Sequence, residues 1–176
     1  MPGIGDPRFG RAGVAVCGHD ADGALGIGIG AEIAGLDFAD LLKQVDLTAA
    51  APTDAPVHFG GPVDMRRGFV LHSGDWSGQD TVEVLGPTGP LWSLTGTLDV
   101  LRAIAEGKGP TRWIAALGYA GWSAGQLDAE LAGPGWLNVP GDPALLFEAP
   151  AAERWERAMA SAGVDPRLLA LGAGTA

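Results

Sequence analysis

Hydrophobic positions change period along this chain. Alternation or short apolar runs predict strands at residues 13–17, 24–29, 57–59, 68–72, 81–85 and 113–119. Helical spacing replaces them elsewhere. Phe38, Leu41, Leu42 and Val45 form one face behind Asp37, a good N-cap residue. Leu98, Leu101 and Ile104 follow Thr95 or Thr97, either of which can cap, and Gly107 stops that helix. Asp142-Pro143 sets a cap before a first-turn proline and predicts a short helix through Phe147. Residues 151–162 form another helix closed by Gly163, and Asp165-Pro166 opens a final turn or short helix. Residues 48–56, TAAAPTDAP, read as a connection. Strands cluster in the first half and helices in the second, with one strand returning between them. That order predicts an α+β fold rather than a regular βαβ array.

Composition narrows the class. The 176 residues are 47% hydrophobic and 18% charged, which predicts one globular domain with a core of its own. No apolar run approaches the ~20 residues that span a bilayer. MPGIGDPRFG, residues 1–10, lacks the basic and apolar regions of a signal peptide, so a cytoplasmic protein is expected. A single cysteine, Cys17, cannot form an internal disulfide, in keeping with a reducing compartment. The net charge of −10 argues against direct DNA binding and against anionic membranes, because both need clustered cations. The one adjacent basic pair is Arg66-Arg67. A protein partner or a small anionic ligand is the expectation that remains.

Gly121-Trp122-Ser123-Ala124-Gly125 fits G-x-S-x-G, the turn that presents a hydrolase nucleophile. All three histidines (His19, His58 and His72) precede Ser123, the reverse of the α/β-hydrolase order. Ser123-Ala124-Gly125-Gln126 is also S-x-x-Q, a capping box, and the structural reading is preferred. The turn's backbone N–H groups, flanked by Tyr119, Gly121 and Trp122, form a candidate anion site; the alternative is that the aromatics cover core. Arg67 and His72 join that candidate ligand set from the stretch GGPVDMRRGFVLHS (60–73). His72 and Ser73 are strand neighbours and point to opposite faces, so they form no simple pair. In Val16-Cys17-Gly18-His19, an extended backbone places Cys17 and His19 on one face, a candidate nucleophile and base. The competing reading is a buried structural thiol, as the preceding Val14-Ala15-Val16 run favours. Cys17 and the histidines lack metal-site spacing with Asp20, Asp22 or Asp64, and neither metal nor cofactor is expected.

MPGIGDPRF (1–9), FADLLKQ (38–44), GGPVDMRRGFVLHS (60–73), LDVLRAIAEGKGP (98–110), ALGYAGWSAGQLDAEL (116–131), the WL–VP–D–LLF segment (136–147) and VDP (164–166) together carry a resemblance. In composition and order they resemble the bacterial YqgE/AlgH family along essentially the whole chain. The resemblance implies a strongly bent, branching sheet closed into a partial barrel, with helices packed around it. It also implies a regulatory role in transcription whose mechanism is not established. With no helix-turn-helix in the sequence, that role is expected to be indirect, through a partner or ligand. The alternative expectation is a small hydrolase or a thiol-dependent enzyme using Cys17. The resemblance implies that family members usually carry about ten further residues before the MPG segment, which read as a strand. The domain, residues 1–176, is therefore expected to lack it, and an unpaired sheet edge to favour homo-oligomers. Where the family reads GLVINRP, this chain has GIGIGAEIAG (26–35).

Overall fold

The computed structural model describes residues 12–133 and 135–165. The MPGIGDPRF segment, the expected loss of a first strand and the final turn from Pro166 lie outside them. The chain runs β1 (Val14–Asp20), β2 (Gly23–Gly28), β3 (Glu32–Asp37), α1 (Phe38–Gln44), β4 (Pro56–Phe59), β5 (Val63–His72), β6 (Val82–Gly86) and β7 (Gly89–Thr95). It continues through α2 (Leu98–Ala105), β8 (Trp113–Ser123), α3 (Gln126–Leu131), α4 (Pro143–Phe147) and α5 (Ala151–Ser161). The caps read from sequence form at two helices. The Asp40 N–H donates to Asp37 Oδ1 at 2.9 Å, and the Ala144 N–H donates to Asp142 Oδ1 at 2.8 Å. At α2 the cap position is Thr97, whose hydroxyl instead donates to the Gln79 carbonyl and to Asp99. Thr95 is buried in β7.

The strands form one sheet in the order β1-β2-β8-β5-β7-β6, with β4 also on β8 and β3 on β4. Its two ends, β1 and β6, approach each other, so the sheet is nearly closed into a barrel. β8 is the spine. One edge pairs with β5, while the other is shared between β2 and β4, the latter in parallel. That sharing branches the sheet. At the branch the Gly28 N–H donates to the Gly60 carbonyl at 2.7 Å, and the Gly60 N–H to the Leu117 carbonyl at 2.8 Å. A Cβ on Gly60 would sit 2.2 Å from the Gly118 oxygen, and one on Gly61 would sit 2.1 Å from the Tyr119 carbonyl carbon. Only residues without side chains let these backbones touch.

Alternation along β8 divides the core. Ile114 and Ala116 face the barrel interior with Ile27, Phe69, Leu71, Trp92 and Leu94, whereas Ala115 faces outward beneath Phe38, Leu42 and Ala105 of α1 and α2. Two strands, β3 and β7, were not expected from the pattern. β3 reads EIAGLD without alternation and pairs with β4 only near its ends, at Glu32–His58 and Asp37–Pro56. β7 carries Pro90, tolerated because it lies beside the hairpin turn joining Gly86 to Gly89.

Candidate functional site

A bulge decides the fate of the Cys17–His19 pair. Val16 opposes Gly26 and Gly18 opposes Leu25, so Cys17 is an extra residue on β1. The insertion reverses the alternation beyond it. Cys17 stays in the core, 6% exposed, with its thiol donating to the Ala15 carbonyl at 3.3 Å. Burial pushes that thiol up to about 12, against the opposing influence of Trp92 and the Ile27 backbone. His19 is exposed and sits 3.3 Å from Asp128 of α3. The shared face expected from an uninterrupted strand does not form.

The other expected residues are dispersed. His72 is fully buried between the Ser73 carbonyl, 2.9 Å from Nδ1, and the Thr95 hydroxyl, 3.0 Å from Nε2. The Ser73 hydroxyl donates to Asp75 at 2.6 Å, and this with donation from Thr111 holds the Asp75 carboxyl down at about 2. Arg67 and Tyr119 each contact Phe69 instead: the guanidinium carbon is 5.1 Å from that ring's centroid, and the Tyr119 ring meets it edge-on at 5.7 Å. Gly121 is exposed on β8, and Trp122 belongs to a different site. Ser123 is the last residue of β8 rather than a helix cap. Gln126 Oε1 accepts from the Ser123 N–H at 3.0 Å, so half of the capping box forms. The cap position of α3 falls to Gly125, whose φ of 68° suits glycine.

The site that the tertiary structure does assemble opens where β1 and β6 approach. It is a groove of about 350 Å³, walled by Val14 and Val16 of β1, Leu85 of β6 and Trp92 of β7. Trp122, α3, the 136–142 segment, α4 and α5 complete it. Four of the six tryptophans line it: Trp92, Trp122, Trp136 and Trp155. Leu85, 67% exposed, stands at the rim. Glu130 of α3 fixes one wall. Its Oε2 accepts from the indoles of Trp122 at 3.0 Å and Trp136 at 2.8 Å, and its Oε1 from Gln126 at 2.9 Å. Partial burial would raise the Glu130 carboxyl, but donation from Gln126, Trp122 and Trp136 outweighs it and holds the group below the usual range. The rings of Trp122 and Trp136 meet edge to face at 6.0 Å.

Arg154 of α5 also lines the groove and is 6% exposed. Nε–H donates to the Ala149 carbonyl at 3.1 Å; Nη1 donates to the Ile29 carbonyl at 2.6 Å and lies 2.9 Å from His58 Nε2. Burial and the adjacent guanidinium lower His58 to about 4, so its ring is neutral near pH 7 and Nε2 accepts the Arg154 proton. Among the described residues no carboxylate lies within ion-pair distance of Arg154. Sequence reading missed Arg154, Glu130, Trp92 and Trp136. The available signal was the six tryptophans against a single tyrosine.

A branched, nearly closed barrel with helices around it and a tryptophan-lined groove at its seam defines the class of domain. The chain belongs to the AlgH-like family, whose model matches residues 1–167. It is 53% identical to a UPF0301 protein of Rhizorhabdus wittichii and 51% identical to one of Sphingopyxis alaskensis, covering 100% of this chain and 92% of each relative. The solution structure of AlgH from Pseudomonas aeruginosa matches with a TM-score of 0.76 at 41% identity, over 100% of this chain and 92% of that one. A Corynebacterium diphtheriae crystal structure shares the fold at a TM-score of 0.67 and 15% identity, covering 99% and 88%. No helix among the described residues is long and apolar enough to cross a membrane.

Proposed function

We propose that this protein is a non-catalytic binding protein with an indirect regulatory role, acting through an occupant of the seam groove rather than through contact with DNA. The observation that carries the reading is the groove itself: a concave apolar surface with rigid aromatic walls and one buried cation, the form of a ligand site. The groups with nucleophilic or base chemistry point away from it or are tied up. Cys17 is a core thiol, His72 is enclosed, and the Ser123 hydroxyl lies 3.1 Å from Gln126. The acidic charge favours action through a partner or small ligand over action on nucleic acid.

Complementation of a gene deletion tests this. Transcript changes caused by the deletion should be reversed by Cys17→Ala and not by Leu85→Asp, which places a charge at the groove rim. Rescue by Leu85→Asp, or failure of a folded Cys17→Ala, would overturn the reading. So would turnover of ester or thioester substrates by the wild type that is lost in folded Cys17→Ala, or sub-micromolar, sequence-dependent binding of duplex DNA at moderate salt.

A further inference from the structure

The groove has the electrostatics of a particular ligand class. Its walls are apolar, yet Arg154 places a guanidinium there that is 94% removed from solvent and forms no ion pair among the described residues. Burial lowers the guanidinium, and Glu32 offsets this only by Coulombic attraction from beyond ion-pair distance, so a partner at contact distance recovers much of the desolvation cost. Guanidinium carries five N–H donors. The bonds to Ala149, Ile29 and His58 account for Nε and both donors of Nη1, which leaves the Nη2 edge for a ligand. His58 takes no charge from this arrangement, because its neutral ring accepts from Nη1. The acidic side chain in the lining, Asp142, is exposed, and its Oδ1 accepts from the Ala144 N–H. Glu130, behind the Trp122–Trp136 wall, is matched by three donors.

Resting on the reading of the groove as a binding site, the geometry points to an apolar monocarboxylic acid as its occupant. The hydrocarbon body lies against Trp92, Trp122, Trp136 and Leu146, and the carboxylate accepts from Arg154 Nη2. A volume of about 350 Å³ falls at the small end of the ~300–1,000 Å³ typical of ligand pockets, so the acid is of modest size. One cation with one uncommitted edge suits a single negative charge. A phosphate dianion would leave charge unmatched in an apolar cleft. The negative protein repels anions at long range, but at 0.15 M salt that field decays over ~8 Å while the buried contact does not.

The test titrates purified protein with decanoate, decanol and decyltrimethylammonium below their aggregation limits, following tryptophan emission and heat. Three chains of equal length separate the headgroup from the hydrocarbon without altering the protein. Decanoate is expected to saturate at one site, with decanol at least tenfold weaker and the cation weaker still. Leu85→Asp, at an exposed position, should weaken decanoate about tenfold with an unchanged urea midpoint. Equal binding of decanoate and decanol overturns the role of Arg154. Preference for the cation, or no saturable binding of any of the three, overturns the ligand class. If decanoate fails while Leu85→Asp still fails to complement, the groove serves another occupant and the binding reading survives. If Leu85→Asp complements fully, that reading falls whatever decanoate does.

Discussion

Alkylation of Cys17 probes the bulge in β1 directly. In the native protein the thiol is 6% exposed and burial raises it from 9.0 to about 12. Near pH 8 a thiol at 9.0 is roughly one-tenth thiolate, whereas one at about 12 is ionised to about one part in ten thousand. Iodoacetamide reacts with the thiolate, so chemistry alone predicts about a thousandfold slowing. Steric exclusion adds to it. The experiment incubates native and urea-unfolded protein with iodoacetamide near pH 8 and follows the mass shift over time. Native labelling should be at least about a thousandfold slower, and His19→Ala should leave it unchanged because His19 lies on the other face. A native rate within tenfold of the unfolded rate, or one that falls in His19→Ala, would refute the placement of Cys17. The same ionisation links to stability. The folded state keeps the thiol neutral, so stability is full below 9.0 and declines as pH rises toward 12, by about 4 kcal/mol in all.

Three further outcomes are expected. His58 is lowered from 6.5 to about 4, so stability is present above 6.5 and is lost as pH falls through 4, by about 3 kcal/mol; urea midpoints of the wild type and His58→Gln across that range check it, and parallel curves would count against it. Glu130→Gln replaces the carboxylate that holds Trp122, Trp136 and Gln126, and should cost about 1–2 kcal/mol and red-shift tryptophan emission, whereas an unchanged spectrum and midpoint would show that the wall does not depend on it. Gly61→Ala forces a Cβ to 2.1 Å from the Tyr119 backbone at a φ of 154° and should cost more than about 4 kcal/mol; a urea midpoint equal to that of the wild type would contradict the crossing at the branch.

Local signals in the sequence carried a good part of the fold. Asp37 and Asp142 read correctly as helix caps because a cap needs only one side chain and the backbone two or three residues ahead. Six strands showed through alternation, and the long motifs carried the family and its bent, branching sheet. β3 and β7 carry no such signal, because their residues show no period and their partners hold them. Tertiary structure decided the rest. The bulge that parts His19 from Cys17 depends on how β1 registers against β2, and no window of β1 alone contains that information. Gly60 and Gly61 looked like a turn; what they permit is the close approach of β4 to β8. The groove joins residues far apart in sequence, as the bond from Arg154 to Ile29 across 125 positions illustrates. A periodic pattern tells which face of an element is buried. Which buried faces leave a gap between them, and which charge ends up inside it, follows only from how the elements close on one another.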